Sequence, residues 1–598
     1  MLSYKAPLRD MRFVREELLD FPGLYASLPG FGDFPPDLLN QVLEEAARFC
    51  EDVLAPLYRS GDEEGCTWTP EGVKTPAGFR EAYRQYVDGG WATLSSAPEY
   101  GGQGLPASVG LFFEDMMGTA NWAWAMYPGL SHGAVRTLKT HGTAEEKATY
   151  LGKLVSGEWT GTMCLTESHC GSDLGQLRTR AEPLADGSYA ITGTKIFISS
   201  GDHDLAENII HIVLARLPDA PPGTKGISLF LVPKKIPQAD GSLSSNTLGC
   251  GAIEHKMGIN GSATCVMNFD GATGFLIGEP NRGLHHMFTF MNAARLGTAM
   301  QGLAACELSW QGARDYAFER LQGRSLSGAK NPAGPADPLI VHPNIRRLLL
   351  TQRAFAEGSR AFLYWLCRQV DIMDRSPDAA ACKAAEDLMA LLTPVAKAFV
   401  TEVGYEAANM GMQVLGGHGY VRANGMEQIV RDTRIALLYE GTSAIQSLDL
   451  LGRKVMGSGG ALLKSYQSQI DVFCAAQDGR EDMAAFVQAL RATSARLEGL
   501  TLKIAEAAMK NAEEADAAAF EYLMLLGYLV LAHMWAWMAR VAADALAAGS
   551  TETDFYTAKL ETARFYFQRV LPRIESLALC VEAGGGSIIA IPQNHFAA

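Results

Sequence analysis

MCLTESHCGSDLGQLRTRA (Met163–Ala181), with YAITGTKIFISSG (Tyr189–Gly201) just after it, is where the chain changes its periodicity. The first stretch sets backbone donors, hydroxyl side chains and a glycine in a turn, and the second is rich in β-branched and aromatic residues. NIIHIVLARL and GISLFLVPKKI continue the second pattern, so Thr160 to about Pro280 is predicted to be a β-domain, a sandwich or barrel-like. Upstream, LLNQVLEEAARFCEDVLAPLYR repeats apolar residues at three- and four-residue spacing, which predicts helix. Turns such as APEYGGQGLP (Ala97–Pro106) break that pattern. Downstream, helical patterning returns after Gly283 and runs to about Val455, interrupted by the loop-like GAKNPAGPADP (Gly328–Pro338). Beyond MGSGG (Met456–Gly460) the sequence is again helical and rich in alanine. The expected fold is α+β in five segments: an extension over 1–35, an α-domain over 36–159, a β-domain over 160–282, a four-helix α-domain over 283–455, and a helical appendage over 456–598 with cores of its own.

With 598 residues, 48% hydrophobic and 20% charged, the chain has the make-up of a multidomain globular protein. A net charge of −15 opposes phosphate neutralisation, and no long Lys/Arg run offsets it, which argues against a nucleic-acid partner. Eleven cysteines stand singly, without a CxxC pair, and read as reduced thiols with no metal site. The opening MLSYKAPLRDMRFVREELLD has charges where a signal peptide needs an apolar core, so the expected location is the cytoplasm. Leu523–Ala539 is 17 residues long and contains His533, which fits a buried bundle helix better than a membrane span.

Three places carry candidate chemistry. The Thr-Glu-Ser and Gly-Ser-Asp turn after Met163 can hydrogen-bond a planar heterocycle and let phosphate approach, or it can simply be a turn. In GTKIFISSG, alternation puts Phe197 and Ser199 on one strand face, as a flavin neighbour or as core packing. QVLGGHGYVRANGMEQIVRDTRIALLYEGTSAIQ (Gln413–Gln446) joins a double-glycine turn, an Arg-Asp-x-Arg helix segment and a Tyr-Glu-Gly-Thr loop, which packing alone does not explain. A nicotinamide-binding G-x-G-x-x-G after a strand is absent.

Taken in order, PEYGG, HGTAEEKATYL, MCLTESHCGSD, GTKIFISSG, KMGINGSAT, YAFER, QVLGGHGY, RDTRI and YEGTSAIQ resemble the acyl-CoA dehydrogenase family over nearly all of Pro36–Arg453. The opening YKAPLRDMRF and the C-terminal segment resemble its enlarged subgroup, which contains bacterial fatty acyl-CoA and 3-methylmercaptopropionyl-CoA dehydrogenases.

The resemblance implies FAD as cofactor, an acyl-CoA substrate, an electron-transfer flavoprotein as electron acceptor and a homodimer. Glu440 matches the base that takes the α-proton, whose acidity the thioester raises; a desolvated carboxylate is the stronger base. Met163, Leu165 and Thr166 match flavin contacts, and Gly171 and Ser172 the turn near the FAD pyrophosphate and CoA. Phe197 stands where tryptophan is usual and Ser199 where threonine is usual, with Ile198 between them on the flavin strand. Arg320 matches the arginine that reaches the FAD pyrophosphate of a neighbouring subunit, although LQGR replaces the usual Phe-Gly after it. Gln413, Gly416 and Gly417 match the segment at the adenine-side half of FAD, also across the dimer interface, and Thr442 matches another FAD contact.

On the substrate side, Tyr439 and Gly441 flank the base, and the Glu440 N–H matches a donor to the thioester oxygen. Arg295 matches an active-site arginine, or is a helix-surface charge. Gly129 and Gly133, one helical turn apart, match the acyl-tail side of the pocket; they leave a groove for a medium or longer unbranched chain, or permit close helix packing. The expected reaction is α,β-dehydrogenation to a trans-2-enoyl-CoA. The rivals are a 3-methylmercaptopropionyl-CoA dehydrogenase, an acyl-CoA oxidase, a desulfinase-like branch, which normally lacks the base, and a non-enzymatic flavin-containing nucleic-acid binder. The segment beyond Met456 is expected to cover the surface through which smaller members join two dimers.

Overall fold

The computed structural model describes residues 2–31 and 34–597. It divides into two compact units, Pro7–Gln41 with Thr298–Ala598, and Val42–Gly297. Each is taken by itself.

In the unit spanning Val42–Gly297, seven strands form one sheet: β1 (Trp159–Cys164), β2 (Arg180–Pro183), β3 (Tyr189–Ser199), β4 (Asn208–Arg216), β5 (Ile227–Pro233), β6 (Leu248–Ile253) and β7 (Thr264–Ile277). Their order is β6-β7-β3-β2-β4-β1. Because β5 pairs with both β4 and β7, the path closes on itself in the barrel-like manner expected. β4 and β5 are buried almost throughout, which is why NIIHIVLARL and ISLFLVP are continuous apolar runs without alternation. β3 and β7 lose register between Lys195 and Ile198, a bulge that interrupts the two-residue alternation. A two-stranded ribbon, Thr67–Thr69 with Gly72–Lys74, interrupts the region read as wholly helical. Its turn is Pro70-Glu71, and Trp68 Nε1 ties it to the Cys250 carbonyl at 2.8 Å.

The helix Ala107–His141 has one non-helical residue, Asn121 (φ −162°, ψ 88°). The Asn121 side-chain oxygen accepts from Trp124 N at 3.1 Å, so it ends one helical segment and caps the next. Gly129 and Gly133 lie on that second segment.

The other unit is built on Pro343–Arg375, Ala379–Leu415 and Glu513–Ala547, with the later part of Gly283–Glu319. The C-terminal segment does not have the separate cores expected of an appendage. Trp535 donates Nε1 to the Ala354 carbonyl at 3.0 Å, and Gly527 lies against the Phe399 ring. The cause is that Leu523–Ala539 is apolar all round its helix and needs partners on every side. Among the described residues two helices, Ala379–Tyr420 and Glu513–Ala547, are long and apolar enough to cross a membrane, but 78% and 83% of their apolar windows are buried inside the protein.

Candidate active site

The turn after β1 is built on a buried ion pair. Thr162 and Cys164 face inward, leaving Met163, Leu165 and Thr166 partly accessible. Lys195, fully buried on β3, donates Nζ to the Leu165 carbonyl at 3.0 Å and to the Glu167 carboxylate at 2.9 Å. Glu167 also accepts from Thr179 N and Oγ1 and from Arg178 N. Burial pushes the Glu167 carboxyl upward, yet the Lys195 charge and these donors outweigh it and hold it at about 2. β3 comes back to the turn through Ile196 N to the Thr166 carbonyl at 2.9 Å. Neither Glu167 nor Lys195 stood out in the sequence; the available signal was a lone lysine inside an apolar strand. Glu167, His169 and Cys170 have ligand atoms close enough to hold a metal, but Glu167 is already committed to Lys195.

Phe197 sits in the β3 bulge with φ 59° and is 58% exposed. The alternation that would place it on one face with Ser199 therefore does not run through this position, although Ser199 is also partly accessible. Thr162 Oγ1 anchors the Ser199 carbonyl at 2.6 Å, and Ile198 is buried. Gly171 and Ser172 are exposed on a loop held from beneath by Arg216, which donates to the carbonyls of Gly175 and Leu177 at 2.6 and 2.9 Å.

Arg295 is 5% exposed and its guanidinium lies 5.8 Å from the Phe288 ring, which removes the helix-surface reading. At Gly133, a Cβ would stand 2.4 Å from the Phe290 ring, so that glycine permits close helix packing and the groove expected there is filled. At Gly129, nothing beyond its own stretch of helix lies within 4 Å of where a Cβ would stand, so space remains.

In the unit containing the C-terminal helices, Glu440 has φ 56° and Gly441 φ 85°, two consecutive left-handed residues. For a residue with a side chain this conformation costs roughly 1–2 kcal/mol. Gln446, fully buried, donates Nε2 to the Glu440 carbonyl at 2.9 Å, and Lys397, also fully buried, donates Nζ to the Gly441 carbonyl at 2.6 Å. Glu440 itself is partly buried. Tyr439 Oη donates to Gln301 Oε1 at 2.5 Å, which fixes the residue before Glu440. Thr442 Oγ1 accepts from Ile445 N at 3.2 Å and caps Ser443–Leu448. Gln413, Gly416, Gly417 and Arg320 are all exposed, and no described atom lies within 4 Å of a Cβ built on either glycine.

Residues 37–158, 162–272, 281–456 and 466–592 match, in order, the family descriptions "Acyl-CoA dehydrogenase, N-terminal domain", "Acyl-CoA dehydrogenase, middle domain", "Acyl-CoA dehydrogenase, C-terminal domain" and "Acetyl-CoA dehydrogenase C-terminal like". The chain belongs to the acyl-CoA dehydrogenase family. This acyl-CoA dehydrogenase is 41% identical to the 3-methylmercaptopropionyl-CoA dehydrogenase of Ruegeria pomeroyi, over 95% of this chain and 96% of that one. It is 33% identical to the broad-specificity linear acyl-CoA dehydrogenase FadE5 of Mycobacterium tuberculosis, over the full length of both. Its fold is shared with an acyl-CoA dehydrogenase of Bacillus anthracis solved with FAD, at 20% identity and a TM-score of 0.72, covering 96% of this chain and 91% of that one.

The protein is an oxidoreductase, and FAD is its cofactor. The residues present fit that group. An aromatic side chain is exposed beside a pinned turn of accessible backbone.

Proposed function

We propose that this enzyme removes the α and β hydrogens of a linear acyl-CoA thioester, giving the trans-2-enoyl-CoA, with Glu440 as the base that takes the α-proton. The observation that carries this reading is the Tyr439–Thr442 loop: a partly buried carboxylate on a left-handed residue, with both neighbouring carbonyls tied down by buried donors. A carboxylate placed in this way meets the proton from one direction and does not have to be ordered as the reaction begins. When bound, FAD supplies the acceptor for the β-hydride. Met163, Leu165, Thr166, Phe197, Ile198, Ser199, Gly171 and Ser172 would hold it on the sheet side; by the resemblance, Arg320, Gln413, Gly416 and Gly417 are assigned to the phosphate and adenine ends of the FAD of a second subunit, and Thr442 to a further FAD contact. Gly441, Tyr439 and Arg295 are each assigned to the substrate by the resemblance. The enzyme acts in the cytoplasm as a homodimer, passes its electrons to an electron-transfer flavoprotein and does not span a membrane. Its five segments are those read from the sequence.

The tail is assigned as medium or longer, on the open space at Gly129 alone. The relative from Ruegeria pomeroyi favours a second reading, a short thioether tail, while FadE5 favours linear chains in general. Anaerobic titration of the flavin absorbance, with kcat/KM for butanoyl-, octanoyl-, palmitoyl- and 3-methylmercaptopropionyl-CoA, separates them. The expected result is bleaching by all the linear thioesters with an optimum at octanoyl or longer. An optimum at 3-methylmercaptopropionyl-CoA would replace the assignment of the tail, and no bleaching by any of the four would end the reading.

A further inference from the structure

We propose that Lys397, acting with Gln446, is a positioning residue that holds the loop of the base in its reactive shape. The inference rests on Glu440 being that base. Lys397 lies on Ala379–Leu415 within the apolar run LLTPVAKAFV (Leu391–Val400) and is fully buried. Burying an amine is unfavourable unless it is hydrogen-bonded, and an acceptor here is the main-chain carbonyl of Gly441, 2.6 Å away. Gln446 reaches the preceding carbonyl, that of Glu440, from the short helix Ser443–Leu448. Two consecutive carbonyls of a left-handed pair are thus each held by a buried side chain from a different helix. Those donors oppose the return of Glu440 to an ordinary negative φ, which would swing its side chain away from where the α-proton arrives. A misplacement of about 1 Å costs on the order of 10²-fold in rate.

Lys397→Met and Gln446→Met keep side-chain length and remove the donors. Purified as holoenzymes, they are compared with wild type and Glu440→Gln in three readouts: flavin occupancy, kcat and KM on octanoyl-CoA, and deuterium uptake from D2O at the α-carbon of 3-thiaoctanoyl-CoA. That thioester can lose its α-proton but has sulfur where the β-hydride would leave. For Lys397→Met the expected result is flavin occupancy near wild type, KM within about threefold, and both kcat and α-exchange lower by about 10- to 100-fold. Gln446→Met should move the same way. If Lys397→Met does not fold with flavin, Gln446→Met carries the decision alone. Exchange and kcat within twofold of wild type in a flavin-loaded variant, while Glu440→Gln has lost exchange, would overturn the positioning role and leave the base in place. Retained exchange in Glu440→Gln would overturn both.

Discussion

The two glycines of the Ala107–His141 helix show how one residue type serves two ends. At Gly133 the Phe290 ring occupies the space a side chain would need. Gly133→Leu is therefore expected to lower thermal stability, by about 1–3 kcal/mol for an overpacked contact, and to depress kcat/KM on butanoyl- and octanoyl-CoA alike. Gly129→Leu should leave the melting temperature within a few degrees while lowering kcat/KM for octanoyl-CoA about tenfold more than for butanoyl-CoA. Equal losses on both substrates would show that the space at Gly129 does not receive the tail. On the same helix, burial raises the Glu114 carboxyl from 4.5 to about 7. Because the native value lies above the unfolded one, this group costs nothing below about pH 4.5, and its ionisation destabilises the fold increasingly as pH rises through 7. Melting curves of Glu114→Gln should therefore nearly match wild type near pH 4.5 and show about 3 kcal/mol greater stability at pH 8. A gap independent of pH would mean that Glu114 is ionised throughout.

At the scale of single elements, the turn at Leu165–Glu167 depends on Lys195. Lys195→Met leaves the buried Glu167 carboxylate without its counter-charge, and the expected outcome is soluble protein with FAD affinity weaker by at least tenfold, read by equilibrium dialysis of the flavin. Unchanged affinity would show that the turn holds its shape without the pair. The strands and helices here were legible because their patterns are local. β4 and β5 are continuous apolar runs, and the helices repeat at three and four residues. What escaped was set by tertiary structure. The bulge at Phe197 depends on where β3 meets β7, and no residue in GTKIFISSG announces it. The Thr67–Lys74 ribbon is too short for periodicity to register. Lys195 and Lys397 were legible only as anomalies, single lysines in apolar surroundings, and their carbonyl acceptors come from distant parts of the chain.

At the scale of the whole molecule, the C-terminal helices share the interior of their unit, and a buried charge cluster fastens them to the first residues of the chain. Asp10 accepts from Arg360 at 2.7 Å and pairs with Lys559, while Lys559 reaches Glu357 at 2.7 Å and Arg360 reaches Glu307 at 2.9 Å. Burial raises the Asp10 carboxyl, but Lys559 and Arg360 outweigh it and hold it below the ordinary range. Lys559→Met takes one of two cationic partners from each of Asp10 and Glu357, which keep Arg360 and Arg353, and should cost about 1.5–3 kcal/mol, seen as a lower denaturation midpoint and faster proteolysis of the first 30 or so residues. Wild-type stability in that variant would mean the cluster is replaceable. This fastening was invisible in the sequence, since Asp10 and Lys559 are 549 positions apart. The family, by contrast, was legible from ordered short motifs that span the same residues its domain matches cover. Whether Glu440 takes the α-proton is answered by anaerobic stopped-flow reduction of the flavin by octanoyl-CoA in Glu440→Gln. The amide keeps the shape and removes the basicity, so the variant should retain FAD and bind the thioester while its flavin bleaches about 10²- to 10⁴-fold more slowly than wild type. Bleaching at the wild-type rate would place the base elsewhere.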